Sequence, residues 1–498
     1  MRTRSPGWTT WLPIAVVITT ILFVGRSVPA QTAEPAKESP EVQQLKERLR
    51  QLEETVNALK GQITTIETVQ KTASTTAVGN PVRMMDAVAT GDAVLTNPAA
   101  APDTTKPAVK RLGNDASDTT FEIYGFAMLD AGYQFKQNHP DWYDTLRVTK
   151  LPAFKDEFAP SGKTYWGVRQ SRLGFKTSTP TKYGDLKTVF EFELFGTGVD
   201  AGQTTFRLRH AYGELGKFGA GQYWTVFGDV DAFPNTIEYW GPPGLIWYRN
   251  VGVRFMPLQG KNSVTIALER PGASGDQGVY ANRIELSGIK PKFAWPDLVG
   301  NVRFNRDWGH IQVAGILRSI RWIDTNSADH LDFGGSAVGA GFSVSSALNF
   351  GKNDVGRFQV NYGKGIQNYF NDAPVDIGPE NRLVPTTGVG GTTIAPVKGV
   401  ALPIFGMSAF IDHRWNPRFT TAGGFSMIDI SNSDAQTPSS FRRGMYAIGN
   451  LLYTPIPNVT VGGEFQWGNR YNFTDGFKSD DSRIQFVFKY NFSRTFKL

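Results

Sequence analysis

From Phe121 to the C-terminus, apolar and polar positions alternate with period two, in segments of about ten residues set apart by Gly, Pro, Asp and Asn. In "DLKTVFEFELFG" Leu186, Phe190, Phe192 and Leu194 share one face, and Lys187, Glu191 and Glu193 the other. "TTFRLRHAY" sets Phe206, Leu208 and Tyr212 against Arg207 and Arg209, and "NVGVRFM" sets Val251, Val253 and Phe255 against Asn250 and Arg254. The same opposition recurs with Val302 and Phe304 against Asn301 and Arg303, and with Phe358, Val360 and Tyr362 against Arg357, Gln359 and Asn361. In "RIQFVFKYNF" it sets Ile484, Phe486, Phe488, Tyr490 and Phe492 against Arg483, Gln485 and Lys489. About sixteen such segments fit into residues 121–498, one per roughly 24 residues, which is the spacing of a large antiparallel barrel.

Residues 41–71 follow another period. Val42, Leu49, Val56 and Ile63 take the a positions of a heptad, and Leu45, Leu52, Leu59 and Ile66 the d positions. The stripe is narrow and flanked by charge, which favours a coiled coil over a helix packed on a globular body. Arg48 at g can meet Glu53 at the following e of a parallel neighbour. Residues 31–40 are polar, and residues 72–118, rich in Ala, Thr, Pro, Val and Asp without sustained periodicity, read as a flexible linker.

Composition narrows the setting. Basic "MRTR", the apolar run "WLPIAVVITTILFVG" and "SVPA" before Gln31 make residues 1–30 a secretory signal, its apolar run shorter than the ~20 residues of a spanning helix. The net charge of +7 falls to 7 − 3 = +4 once Arg2, Arg4 and Arg26 are removed, too small an excess for a nucleic-acid partner. No later segment could span a membrane as a helix, so an exported chain of this kind is a soluble β protein or a membrane barrel. One face is apolar and aromatic while the other repeatedly carries Arg, Lys, Glu, Asn and Gln. An arginine turned to the lipid midplane costs about 2–4 kcal/mol, so the charged face belongs inside. The expected fold is all-β: a transmembrane antiparallel barrel of about sixteen strands over residues 119–498, preceded by a short N-terminal coiled-coil helix.

Several segments carry a family likeness. "SRLGF" (171–175) is similar to the second-strand motif of general porins. "RLRHAYGEL" (207–215) followed by "GKFGAGQYWTVFGD" (216–229) resembles the strands that lead into a porin's constriction loop, and "RNVGVRF" (249–255) the strand that leaves it. In this order and spacing the chain resembles the DcaP-like trimeric outer-membrane porins. The resemblance implies a homotrimer in the bacterial outer membrane, with a three-chain helical bundle in the periplasm joined to the barrels by the linker. It implies as partners outer-membrane lipid and lipopolysaccharide, the barrel-assembly machinery, and small anionic solutes, organic and aromatic carboxylates above all. A phosphate-type anion porin is the neighbouring alternative. A non-conducting structural or adhesin barrel is the alternative from another class. Chains of this type usually end on an aromatic that the assembly machinery reads; here the alternating aromatics stop at Phe492, and either Phe492 or Phe496 would serve.

The resemblance also makes "GDVDAFPNTIEYWGPPGLIWY" (228–248) an inward constriction loop carrying Asp229, Asp231 and Glu238. Facing it, the inward parity of Arg172, Arg207, Arg209, Arg254, Arg303, Arg318, Arg357 and Arg483 makes them candidate pore-lining residues. Basic residues on one wall opposite acidic ones on the other would set up a transverse field that concentrates and orients anions. For any single arginine the competing reading is an ion pair within the wall, with Glu191, Glu193, Glu214 and Glu464 available. Enzyme chemistry finds no foothold: His139, His210, His310, His330 and His413 form no metal-binding spacing, and there is no GxSxG. No catalytic residue, cofactor or metal is expected.

Overall fold

The computed structural model describes residues 119–497 except 282–285, 287, 326–331, 382–385, 388–392 and 395–396. The heptad positions from Val42 to Ile66, and the expected signal, polar segment, coiled coil and linker, lie outside the described residues. Among the described residues one 18-stranded sheet comprises sixteen long strands and two short ones, Lys163–Gly167 and Ile289–Pro291. The long strands are β1 (Thr120–Gln134), β2 (Arg172–Thr181), β3 (Gly184–Phe195), β4 (Thr204–Leu215), β5 (Phe218–Trp224), β6 (Arg249–Leu258), β7 (Asn262–Glu269) and β8 (Asp297–Arg306). They continue as β9 (Gly309–Asp324), β10 (Gly335–Phe350), β11 (Asp354–Lys364), β12 (Pro403–Asn416), β13 (Phe419–Ile430), β14 (Phe441–Tyr453), β15 (Val459–Asn472) and β16 (Lys478–Lys497).

Each strand pairs antiparallel with its neighbours in sequence, and β1 pairs with β16 from Thr120–Lys497 to Gln134–Arg483. The sheet closes into a barrel, so no backbone edge is left unpaired. Turns of two to five residues join the strands at one end, and most connections at the other end are longer. Strand β16 runs past Phe492, and Phe496 packs on Phe121 with ring centroids 6.4 Å apart.

The alternation separates the faces as expected. Phe206, Phe218, Val253 and Phe486 are exposed on the outside, whereas Gln359, Asn361 and Gln485 are fully buried inside. Tyr212 departs from the expected face. A β-bulge leaves Glu191 opposite His210 but Phe192 opposite Leu208, so Arg209 and His210 both turn inward. The extra residue reverses parity for the rest of the strand. Tyr212 therefore points inward, stacked on Tyr223 with centroids 4.9 Å apart.

The interior is also drier than a plain lumen. Its largest apolar cluster joins residues of three loops (Leu146 and Val148, Phe227 and Ile246, Ile366 and Phe370) to inward residues of the wall such as Ile316, Phe410 and Ile428. Long connections at one end thus fold into the barrel and supply a core of their own.

Candidate functional site

The connection 225–248 between β5 and β6 starts three residues before the expected loop and travels around the inner wall. At its root the amide of Val226 donates to Glu269 of β7 (2.9 Å), and Asn301 of β8 donates to the Val226 carbonyl (2.9 Å). Gln312 of β9 donates to the Gly228 carbonyl (2.8 Å), and Ser345 of β10 to Asp229 (2.7 Å). Further on, the Asn235 amide donates to Asp412 of β12 (3.2 Å), Asn450 of β14 to the Asn235 carbonyl (2.8 Å), and the Ile237 amide to Glu464 of β15 (3.0 Å). The returning limb is held by Ser426 of β13, which accepts from the Gly244 amide (2.8 Å), and by Gln359 of β11, which accepts from Ile246 (2.6 Å). These inward amides and hydroxyls satisfy loop backbone that would otherwise be buried without partners. The limb lies so close to the wall that a Cβ on Gly244 would stand 2.3 Å from the Met407 carbonyl oxygen, and one on Gly241 would stand 2.2 Å from the Tyr446 ring.

The acidic residues of this loop do not form a charged wall across open water. Asp229 and Asp231 both contact Arg303, and Asp229 also lies 2.6 Å from His310 Nε2. Burial pushes the Asp229 carboxyl up, but the His310 hydrogen bond and the charges of His310 and Arg303 outweigh it and hold the group below its ordinary value. Glu238 is 1% exposed and accepts from the Trp240 amide at 2.5 Å. Burial raises its pKa to about 8, against the smaller downward pulls of Arg483 and the Trp240 and Leu146 amides, so it is held protonated near neutrality. The expected transverse field between acidic loop and basic wall is corrected accordingly: the loop's acids pin the loop or are neutral.

All eight candidate arginines point inward, and most are engaged. Arg318 pairs with Asp297 and Asp376, both at 3.0 Å, and Arg357 with Asp412 at 2.5 Å. Arg254 donates to the Trp224 carbonyl at 2.8 Å. Arg483 is fully buried and donates to Tyr165 and to the Asp144 carbonyl, both at 2.6 Å. Arg318 and Arg483 therefore brace the interior and do not border open water. Two expected acidic partners also fall elsewhere. Glu214 lies 3.7 Å from Lys187, and Glu464 accepts from Asn450 and Gln466.

The stretch of wall from β2 to β6 is different. There Glu193 is ringed by Arg172 (3.9 Å), Arg207 (2.9 Å), Arg209 (2.8 Å) and Arg249 (3.5 Å), and Arg209 also contacts Glu191. Four guanidiniums against two carboxylates leave 4 − 2 = +2. The loop meets this cluster with aromatic rings. Tyr239 donates to Glu193 at 2.5 Å, and the Arg207 guanidinium lies 5.1 Å from the Trp240 ring; from the wall, Trp224 at the end of β5 lies 5.3 Å from the Arg249 guanidinium. Arg172 Nε and Nη1, Arg209 Nη2, Arg249 Nη1 and the Trp240 indole nitrogen are buried without a protein hydrogen-bond partner. Such donors are costly to bury and fit a ligand that brings oxygen acceptors.

Residues 100–366 match the family described as DcaP outer membrane protein. The chain belongs to the DcaP outer membrane protein family. Among solved structures it is similar to the outer membrane channel DcaP of Acinetobacter baumannii, at 18% identity and a TM-score of 0.59, covering 75% of this chain and 97% of that one. It is also similar to an anion-selective porin from Comamonas acidovorans (10% identity, TM-score 0.47, covering 75% and 99%) and to OmpT of Vibrio cholerae (11% identity, TM-score 0.45, covering 77% and 100%). No curated protein sequence matches the chain. This DcaP family member is an outer-membrane β-barrel protein, and it shares its fold with the Acinetobacter baumannii channel.

In this DcaP family protein, sequence parity missed Arg249, which opens β6 on the parity of the outward Val251 and Val253 yet reaches Glu193. Parity also missed Tyr239 and Trp240, because a loop has no period. The one available signal was the aromatic content of "IEYWGPPGLIWY".

Proposed function

We propose that this protein is a passive, anion-preferring diffusion channel for small organic carboxylates, aromatic dicarboxylates included, and that it works as a homotrimer. The observation that carries the solute class is the Glu193 cluster: four guanidiniums of net charge +2, with unpartnered donors, against the aromatic loop face of Tyr239 and Trp240. Arginine binds carboxylates in a bidentate way, and an aromatic acid can also stack beside the rings. Charge would bring the solute to this cluster, the loop would sieve it, and the concentration gradient would drive it through. Binding must stay weak enough for release. In the same reading, the heptads of residues 41–71 gather three chains in the periplasm, and the linker 72–118 lets one bundle serve three barrels.

The dense interior, with Arg209, Arg318 and Arg483 almost wholly buried, favours a second reading: a barrel closed at rest with a structural role. Single-channel recording in planar bilayers decides. Stepwise conductance with a reversal potential biased toward anions, blocked by phthalate more strongly than by phosphate, supports the carboxylate channel. Stronger block by phosphate would select the phosphate-type channel, and silence from folded trimers the structural role.

A further inference from the structure

Two further connections enter the barrel beside the inward loop 225–248: residues 135–162 after β1, and the turn 366–372 after β11. They come from strands that are not neighbours, yet they meet at one pair of residues. Asp372 is fully buried and accepts from Arg147 Nε (2.9 Å), from the Thr149 amide (2.9 Å) and from the Thr149 hydroxyl (2.5 Å), with Arg147 Nη2 at 2.7 Å. Its neighbour Asn371 binds the inward loop instead. The Asn371 side chain donates to the carbonyls of Tyr239 (2.8 Å) and Pro242 (3.1 Å), and its amide donates to the Leu245 carbonyl (2.9 Å). The Trp247 amide donates in turn to the Tyr369 carbonyl at 3.1 Å. Two adjacent residues thus hold three connections together. Apolar contact covers the same joint: Leu146, Val148, Ile246, Ile366, Tyr369 and Phe370 share one buried cluster, and Trp142 meets Trp240 edge-on with centroids 4.9 Å apart.

These bonds run from loop to loop and not from loop to wall, so they can part without breaking any strand pairing of the barrel. A buried ion pair also returns little net free energy over its hydrated ions, so it specifies one arrangement without locking it. Such a joint suits an element with two states. We propose that Asn371 and Asp372 form a latch, that the latched barrel is the closed state, and that conduction begins when the turn 366–372 parts from Arg147 and Thr149. The latch rests on the channel reading given above and goes beyond it by assigning the contact that sets the closed time.

The test combines single-channel recording of the full chain with amide hydrogen exchange in detergent. The double variant Arg147→Gln with Asp372→Asn removes one charge of each sign, so the net charge is unchanged and no buried charge is left unpaired. Its closed times should shorten about tenfold, and the Thr149 and Asn371 amides should exchange faster than in the wild type. The chain has no cysteine, so Thr149→Cys with Asp372→Cys gives a unique pair, placed where the two side chains already meet. Oxidation of that pair should silence the channel, and a reductant should restore it. Glu380→Gln with Lys398→Gln, which removes an exposed ion pair elsewhere in the same connection, should leave closed times as they are. A conducting wild type whose closed times match those of the Arg147 and Asp372 variant would overturn the latch alone, as would conduction through the oxidised pair or an equal effect from the Glu380 and Lys398 variant. Silence from the wild type, the unlatched variant and the reduced pair alike would overturn the channel reading and the latch with it.

Discussion

The inner wall of this barrel has two unlike halves. From β7 to β15 its polar side chains are spent on the inward loop 225–248: Asn301, Gln312, Ser345, Gln359, Ser426 and Asn450 each hold a loop atom. From β2 to β6 the loop makes little hydrogen-bonded contact beyond Tyr239 to Glu193, and the wall keeps a surplus of guanidinium charge. Both halves obey the same alternation of polar and apolar residues. What distinguishes them is the partner that tertiary structure supplies: loop backbone on one side, two carboxylates and aromatic rings on the other. Neutral amides suit the first because each satisfies a buried peptide group at modest cost. Arginines line the second, where their charges outnumber those of Glu191 and Glu193.

Four experiments would break or sharpen this contrast. The largest effect is expected from Arg207→Gln combined with Arg249→Gln, which takes the cluster from +2 to zero while leaving Arg209 to pair Glu193. The ratio of anion to cation permeability should fall about tenfold in bilayer recordings, and carboxylate block should vanish. Unchanged selectivity would move the filter away from this wall.

Next comes Gly244→Val on the loop-bearing half. The added side chain meets wall carbonyls at 2.3 and 2.5 Å, so the limb must lift away. A cost of about 1–3 kcal/mol is expected in thermal or denaturant unfolding, together with higher single-channel conductance. Loss of stability with conductance unchanged would mean that this limb does not bound the pathway.

The third effect is one of pH. Glu238 has a folded-state pKa of about 8, above its ordinary 4.5, because it is buried. Its contribution to holding the loop is thus fully present below about pH 4.5 and is lost as pH rises through about 8, when a carboxylate must be charged in a dry site. Conductance fluctuations should grow between pH 7 and pH 9 in the wild type, by roughly the linkage expected for one titrating group. Glu238→Gln, permanently neutral, should flatten the profile; an equally steep profile in that variant would assign the titration elsewhere.

The smallest effect is expected from Asp231→Asn. Its side chain is 41% exposed, and an ion pair of that kind contributes about 0–1 kcal/mol. Thermal stability should hardly move, whereas Asp229→Asn, which disturbs Arg303, His310 and Ser345 together, should lower it measurably. Equal effects from the two would contradict the view that buried contacts hold the loop.

Much of the architecture is legible in period alone. The outward sets around Phe190, Val253, Phe304, Phe358 and Phe486 could be read off because side-chain direction in a strand reverses at every residue. The same rule placed eight arginines inward. It failed at Tyr212, where one inserted residue in β4 reverses every later position, and at Arg249, where a strand is only beginning. It was silent about Tyr239 and Trp240, which owe their places to a loop laid across the lumen.

The sequence by itself determined which face of each regular strand meets lipid, because transfer of charge into hydrocarbon is prohibitive and leaves one orientation. Only the tertiary structure decided which inward charges are already neutralised and which remain in surplus. That depends on the distance between atoms far apart in the chain, such as Asp229 and His310 or Arg249 and Glu193, and an electrostatic interaction is set by separation and burial rather than by residue type.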